Sequence, residues 1–338
     1  MKIARKTVAA MAMTAVVGMM LLACTNGNTD GGLTGTEAGN RTAADTAAKQ
    51  ESHERTSSSE KAATRVYNDY KGHAVTIPAA PKRVIFAGET TGDLIELGIP
   101  LVGIFGNNLE GRIYQKEAAK IENVGFPISL EKVVSLNPDL ILVASTDENA
   151  YAQLAKIAPT IMFDTFAGLD TRMKELGLIF DKQKETADWL QSYNAKAEEM
   201  WKKLYATVLK PGETASVFTF YPGDRLFVMA RAGLPQMLYG EGGLKPTAPI
   251  REVLDSNQGF RQISAEAIGD FAGDRIFILD PVADEAKQST EKLLNSPVWK
   301  NLPAVKNGHV YRMYIQKSDS DAVTRKWMLE ELPRMLAK

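Results

Sequence analysis

The chain contains 338 residues, of which 24% are charged and 44% hydrophobic, and its formal net charge is −1. This length suits one large domain or two modest ones with a real core. The near-neutral charge argues against a generic nucleic-acid-binding protein, which is usually basic. The single cysteine excludes an intramolecular disulfide and zinc sites that need two or four cysteines. Because no two of His53, His73 and His309 stand at helical spacing, a histidine-rich metal site is not expected either.

Residues 1–23 predict a signal peptide, because a basic start is followed by an uncharged stretch, residues 7–23. This pattern is typical of a secretory signal and is too short for a comfortable transmembrane helix. Its ending, Leu21-Leu22-Ala23-Cys24, resembles a bacterial lipobox. The resemblance implies that Cys24 is acylated and anchors the protein to the extracytoplasmic face of the cell membrane without crossing it. The alternative is an ordinary signal peptide that happens to contain a cysteine.

Residues 24–65 predict the acylated cysteine and a disordered tether. Residues 25–64 contain one large apolar residue, Leu33, and no aromatic residue, while glycine, threonine, serine and alanine dominate. Such a composition cannot bury enough surface to offset the entropy lost on ordering. We therefore expect a flexible leash, on which His53 is solvated and without function.

Residues 66–168 predict an N-terminal α/β lobe. Continuous apolar strands alternate with helices, which is typical of a largely parallel sheet that is buried on both faces. In chain order the predicted elements are a hairpin at 65–78 turned at Lys71-Gly72, a strand at 83–88, a helix at 91–97, a strand at 101–104, a helix at 130–136, a strand at 140–143, a helix at 149–157 and a strand at 160–163.

Residues 169–210 predict a helical connection, and residues 211–338 a second α/β lobe. Apolar residues keep helical spacing over 169–180 and again over 187–205, and the second helix, of about 24 residues, would span roughly 36 Å. Strand-like segments then resume at 216–220, 225–229, 275–279 and 309–313. The predicted fold is two α/β lobes joined by a long connecting helix.

An internal similarity supports two related lobes. Ile128-Ser129-Leu130-Glu131 and Ile263-Ser264-Ala265-Glu266 each open a predicted short helix, and each glutamate is followed eight residues later by an aspartate that begins the next strand. A serine followed by a glutamate suits helix capping, since the carboxylate lies in the first turn. Capping does not explain why the pattern recurs at equivalent places in both lobes.

Together with the lipobox and the tether, these repeats and the segments 136–141 and 158–160 resemble the iron–siderophore-binding lipoproteins. These are class III substrate-binding proteins of ATP-binding-cassette (ABC) importers, and the similarity covers residues 65–338. The resemblance implies a monomeric receptor that clasps its ligand between two lobes and works with a dimeric permease and its cytoplasmic ATPase. It also implies that one glutamate in each lobe docks onto permease arginines, and by position these are Glu131 and Glu266.

The ligand site is expected between the lobes, where loops at the carboxyl ends of strands converge. Arg231 is the strongest candidate, because residues 231–239 resemble a segment of hydroxamate-type receptors in which an arginine donates to the oxygens around ferric iron. Ala232 departs from the glycine of that pattern, and Met229 from its aromatic residue. The other polar candidates are Arg112, Tyr114, Tyr221, Arg225 and Gln316, with Asn107, Ser145, Thr146 and Tyr314 nearby.

The predicted ligand is a ferric siderophore of hydroxamate type, and the iron is carried by the siderophore rather than by a metal site of the protein. Catecholate complexes are strongly anionic, whereas the loops at 125–127 and 145–148 contain no basic residue. Receptors of the same fold for heme, cobalamin or a catecholate remain alternatives. So does a receptor for bare zinc or manganese, although that needs clustered histidines. An extracellular enzyme is a further alternative, but the sequence has no nucleophile elbow and no covalent cofactor is expected.

Overall fold

The computed structural model describes residues 63–106 and 109–337. The predicted signal peptide, Cys24, His53, the tether up to residue 62 and the candidate Asn107 lie outside these ranges. Among the described residues, no helix is both long enough and apolar enough to cross a membrane.

The N-terminal lobe is built on a five-stranded parallel sheet in the order β5-β4-β3-β6-β7. Its central strands are apolar at every position because both faces are covered: Val84 and Phe86 enter one core, whereas Ile85 and Ala87 enter the other. The strands are β3 (Val84–Ala87), β4 (Leu101–Ile104), β5 (Glu122–Asn123), β6 (Leu140–Val143) and β7 (Thr160–Met162), and the helices are α1 (Thr91–Glu96), α2 (Gln115–Ala118), α3 (Leu130–Ser135) and α4 (Glu148–Leu154).

An antiparallel hairpin, β1 (Thr64–Asn68) and β2 (Ala74–Pro78), precedes this sheet. The buried Asp69 closes its turn by accepting hydrogen bonds from the backbone N–H groups of Lys71 and His73. The same carboxylate accepts from the N–H of Met162 on β7 at 2.9 Å. A single side chain therefore shapes the turn and fastens the hairpin to the lobe.

Two helices connect the lobes, α5 (Leu169–Phe180) and α6 (Gln183–Thr207). Helix α6 has 25 residues. Near its start Leu190 and Tyr193 enter the core of the N-terminal lobe, and near its end Trp201 and Leu204 enter the core of the C-terminal lobe. The helix therefore runs along both lobes.

The C-terminal lobe has a mixed sheet in the order β11-β9-β8-β12-β13, with β10 beside β8. Strand β9 is antiparallel to its neighbours, while β12 is parallel to β8 and β13. The strands are β8 (Thr214–Tyr221), β9 (Arg225–Met229), β10 (Lys245–Pro246), β11 (Phe260–Ile263), β12 (Arg275–Asp280) and β13 (Val310–Tyr314). The helices are α7 (Pro235–Leu238), α8 (Ala248–Asp255), α9 (Ile268–Phe271), α10 (Asp284–Asn295), α11 (Pro297–Lys300) and α12 (Pro303–Lys306), and Ile315–Lys317 form a 3-10 turn.

The last helix, α13 (Ala322–Leu336), packs against both lobes. Ala322 lies in the core of the N-terminal lobe, whereas Met328, Leu332 and Met335 lie in the core of the C-terminal lobe. Residues 318–321 lead from the C-terminal sheet to this helix, so the chain crosses between the lobes a second time.

The predicted fold class is confirmed, and the predicted strands and connecting helices are present with small shifts at their ends. Glu131 is the second residue of α3, as expected. Glu266 does not lie in the helix that the sequence predicted for it, because α9 begins only at Ile268. Glu266 lies in the turn before this helix. The Ser264 hydroxyl accepts from the N–H of Ala267 at 3.3 Å, which closes this turn ahead of the helix.

Candidate functional site

A cavity of about 270 Å³ lies between the two lobes. Its walls are residues at or just after the carboxyl ends of strands from both sheets, as expected for open α/β sheets. The N-terminal lobe contributes Glu89, Thr90, Arg112, Thr165 and Phe166, the C-terminal lobe contributes Tyr221, Met229, Ala232, Gly233, Leu279, Val282, Ile315 and Gln316, and Ser318, Asp319 and Ser320 complete the lining.

The N-terminal wall presents a carboxylate and a hydroxyl side by side. Glu89 and Thr90 follow β3, and Thr165 follows β7, the outer neighbour of β6 in the same sheet. The hydroxyl of Thr165 donates to Glu89 Oε2 at 2.8 Å, which orients this exposed carboxylate. The Thr90 hydroxyl is buried and has no hydrogen-bond partner among the described residues.

Arg112 lines the same cavity and forms an ion pair with Asp319. Burial disfavours the Arg112 cation, but Asp319 outweighs this and raises the pKa of the guanidinium. Arg112 also donates to the hydroxyl of Tyr114 at 3.3 Å. Tyr114 is fully buried, which raises the pKa of its phenol. Tyr114 therefore lies behind Arg112, outside the lining of the cavity.

The C-terminal wall combines Tyr221 with a backbone approach that requires glycine. Partial burial raises the pKa of Tyr221, so its hydroxyl keeps the proton it could donate to a ligand. Gly233 has a φ of 68°, and a Cβ there would lie 2.7 Å from the carbonyl oxygen of Ser318. A side chain at this position would both strain the backbone and push residue 318 away.

Beneath the cavity, a buried set of charged groups joins the lobes. Arg172 Nε donates to Asp93 at 2.7 Å, and Arg172 Nη2 donates to the carbonyl oxygen of Ser320 at 2.6 Å. Asp321 caps α13 through the N–H of Thr324. Burial, with Asp319 and Asp93 nearby, raises the pKa of Asp321 to about 8. This set fixes the geometry of the cavity floor.

The sequence candidates fall into three groups. Arg112, Tyr221 and Gln316 line the cavity, and their contact with a ligand stays a prediction. Arg231 does not line it, although Ala232 and Gly233 do; its guanidinium donates to the carbonyl oxygen of Phe166 at 3.0 Å, across the lobe boundary. Tyr114, Arg225, Ser145, Thr146 and Tyr314 are likewise absent from the lining.

Arg225 contacts neighbours of Tyr221 on the C-terminal wall of the cavity. It pairs with Tyr221 in the β8–β9 register, and its Nε donates to the carbonyl oxygen of Pro222 at 2.8 Å. Its guanidinium lies 6.0 Å from the ring centre of Phe227, which contacts the Tyr221 ring edge-on. The contacts of Arg225 therefore reach Tyr221 through a shared aromatic neighbour.

A second cavity, of about 940 Å³, runs along α6. Phe166 lines both cavities, and the contact between Arg231 and Phe166 stands where they meet. Sequence reasoning did not find Glu89, Thr90 and Asp319. Two features of the sequence could have indicated these residues. Glu89 and Thr90 are a polar pair just after the first buried strand, and Asp319 belongs to a run of serines and aspartates at 318–321.

The two predicted docking glutamates are exposed in their separate lobes. Ser129 caps α3 by accepting from the N–H of Lys132 at 3.4 Å, so the first turn does not depend on Glu131. A hydrogen bond from its own backbone N–H and one from Ser264 lower the pKa of Glu266. Both side chains are therefore accessible to a partner from the solvent.

No group of three histidine, cysteine, aspartate or glutamate side chains within the described ranges is arranged to hold a metal ion. The cavity instead offers hydrogen-bond donors, a guanidinium and apolar surface between two lobes. These features define a two-lobed substrate-binding protein.

The model of the periplasmic binding protein family matches residues 84–315, and the chain belongs to this family. Two similar proteins of Bacillus subtilis (strain 168) are named iron(3+)-hydroxamate-binding proteins. YxeB is 32% identical over 261 residues, which cover 75% of this chain and 79% of YxeB. FhuD is 33% identical over 265 residues, which cover 76% of this chain and 81% of FhuD.

Solved structures agree with this assignment. The FhuD protein from S. pseudintermedius matches with a TM-score of 0.71 and 25% identity, covering 81% of this chain and 98% of that chain. Staphylococcus aureus SirA complexed with staphyloferrin B matches with a TM-score of 0.72 and 27% identity, covering 81% of this chain and 99% of that chain. The family and these relatives are binding proteins rather than enzymes.

Proposed function

We propose that the chain is an extracytoplasmic receptor that binds a ferric siderophore of hydroxamate type between its lobes and delivers it to an ABC importer. The observation that carries this proposal is an interlobe cavity in a chain 32% and 33% identical to two iron(3+)-hydroxamate-binding proteins over three quarters of its length. The siderophore itself holds the iron, so the receptor needs no metal ligands of its own.

The charge of the cavity supports a hydroxamate rather than a catecholate. Among the described lining residues, the charged side chains are Glu89, Arg112 and Asp319, and only one of them is basic. A strongly anionic tricatecholate complex would require several convergent cations to repay its desolvation. Apolar residues such as Met229 and Ile315 suit the methylene arms of a neutral complex.

We propose Arg112, Tyr221 and Gln316 as residues that contact the ligand, because all three line the cavity and can donate hydrogen bonds. Tyr114 positions Arg112, and Arg225 positions Tyr221 through Phe227. Arg231 is proposed to donate to ligand oxygens from beside Phe166, since its fork of donors meets several oxygens at once.

Glu131 and Glu266 are proposed to dock the receptor onto the permease, one carboxylate from each lobe. Their exposure and the separate capping of α3 by Ser129 support this role. Charge-assisted bonds to permease arginines would fix the orientation of the complex.

We also propose the chain layout that the sequence predicts: a signal peptide at 1–23, acylated Cys24 with a tether to residue 65, lobes at 66–168 and 211–338, and a connection at 169–210. The name lipoprotein borne by related proteins, such as the probable siderophore-binding lipoprotein YfiY, supports the lipid anchor.

The proposal is tested by titrating the purified protein with ferric trihydroxamate, ferric tricatecholate, ferric citrate, heme and cobalamin. Binding is read from quenching of tryptophan fluorescence and checked by calorimetry. We expect the trihydroxamate complexes to bind most tightly, and iron-free hydroxamate to bind more weakly. Tight binding of another ligand class with no response to any hydroxamate would overturn the assignment while leaving the fold intact.

A further inference from the structure

We propose that Glu89 and Thr90 form a subsite for a protonated amine on the ligand, so that the receptor favours ferric hydroxamates that carry a free ammonium group. This inference rests on the proposed function and adds a charge selectivity to the same cavity.

Glu89 is held in place rather than left to sample the solvent. It follows the buried strand β3, and the hydroxyl of Thr165 donates to its Oε2 at 2.8 Å. Thr165 follows β7 in the same sheet, and both residues line the cavity. Two strand ends therefore fix the position of one carboxylate on the cavity wall.

Thr90 supplies a second and independent sign of a polar ligand group. Thr90 lines the cavity and is only 2% exposed, and its hydroxyl has no hydrogen-bond partner within the described residues. A buried hydroxyl without a partner is unfavourable. A ligand group that donates a hydrogen bond beside Glu89 would satisfy it.

The remaining charges leave Glu89 uncompensated. Arg112 and Asp319 form an ion pair with each other, and within the described ranges Glu89 has no ion-pair partner. The lining therefore holds two carboxyl groups and one guanidinium, and that guanidinium is paired with Asp319 rather than with Glu89. An ammonium group has three N–H donors and one positive charge, which match a carboxylate and an adjacent hydroxyl.

The test uses two ferric chelates that differ in one group. A linear trihydroxamate with a free terminal amine is compared with its N-acetylated form, which has the same iron centre but no charge on the arm. We expect the wild-type protein to bind the amine form roughly 10- to 100-fold more tightly at low ionic strength. Salt should narrow this ratio, because the cavity is open to solvent.

Glu89→Gln is expected to bring the ratio of the two affinities close to one, and Thr90→Val to lower it partly. The matched control is Asp255→Asn, which removes an exposed carboxylate at the end of α8 and should leave the wild-type ratio. Melting temperatures identify a variant that fails to fold. In that case Thr165→Val tests the same subsite, because it removes the hydrogen bond that orients the Glu89 carboxylate.

Equal affinities of the wild-type protein for both chelates would overturn the subsite, and so would an unchanged ratio in Glu89→Gln. Neither result affects the proposed function, which fails separately if neither chelate binds.

Discussion

Arg172 on α5 and Asp93 on α1 form a completely buried ion pair, with 2.7 Å between Nε and Oδ2. The other nitrogens of the same guanidinium donate to the carbonyl oxygen of Ser320 at 2.6 Å and to Gln236 Oε1 at 3.1 Å. One side chain thus connects the N-terminal lobe, the second crossing of the chain and the C-terminal lobe. Its loss would affect the relative position of the lobes as well as local packing.

We predict that Arg172→Met lowers the free energy of unfolding by about 3–5 kcal/mol, because it leaves Asp93 buried without its cation. Urea unfolding followed by circular dichroism measures this change. Lys184→Met is the matched control, since it breaks the exposed pair with Asp188 on α6 and should have no measurable effect. Similar unfolding midpoints for the two variants would contradict the prediction.

Asp321 gives a prediction about pH. Burial and the nearby Asp319 and Asp93 raise the pKa of Asp321 to about 8 in the folded protein, from an ordinary value of 3.8. The folded state therefore binds this proton more tightly than the unfolded chain does. The resulting stabilisation is complete below the unfolded pKa and is lost as the pH rises through about 8.

Asp321→Asn removes this titration and keeps an oxygen that can accept from the N–H of Thr324. We expect the wild-type melting temperature to fall relative to that of Asp321→Asn between pH 5 and pH 9. Thermal unfolding in a series of buffers measures the difference. Parallel curves for the two proteins across this range would mean that Asp321 is already ionised at low pH.

Arg231→Ala tests the proposed ligand contact. Removing a donor to charged oxygens should weaken siderophore binding about 10- to 150-fold, whereas the melting temperature should barely change because the bond to Phe166 is exposed. Arg231→Lys keeps the charge without the planar fork and should be intermediate. Unchanged affinity together with a lower melting temperature would assign Arg231 a purely structural role.

The docking glutamates are tested by Glu131→Ala, Glu266→Ala and the double variant. Siderophore affinity should stay at the wild-type value, because neither residue lines the cavity, while uptake of radiolabelled iron by cells should fall. The double variant should show the largest loss of uptake, since each single variant keeps one of the two contacts with the permease. Asp255→Ala controls for the loss of an exposed carboxylate, and normal uptake by the double variant would leave both glutamates without a docking role.

The strands and connecting helices were predictable because their signals are local. Strand β6 is apolar at all four positions and buried at all four, and α5 begins and ends where its helical spacing predicts. Helix α13 gave no such signal, because it is wedged between two cores and buries residues such as Arg325 and Thr324 along with apolar ones. A helix with several buried faces loses the single apolar stripe that periodicity detects.

The site was predictable only in part for a related reason. The sequence shows which residues follow a strand, but it does not show which way their side chains point. Arg112 and Tyr221 line the cavity as expected from their positions after strands. Tyr114 is only two residues from Arg112, yet it is buried in the interior. Asp319 and Ser320 belong to a segment whose position depends on α13. Because the sequence did not predict α13, it could not predict where Asp319 and Ser320 lie.

The placement of Ala322 also sets an order of assembly for the molecule. Its side chain completes a core that includes Val75 and Phe86, so the interior of the first lobe needs a residue from the far end of the chain. Because the N-terminus emerges first during synthesis or export, this core lacks the Ala322 side chain until α13 has arrived. Since α13 also contributes Met328, Leu332 and Met335 to the core of the second lobe, both lobes are expected to reach their full stability only when this last helix docks.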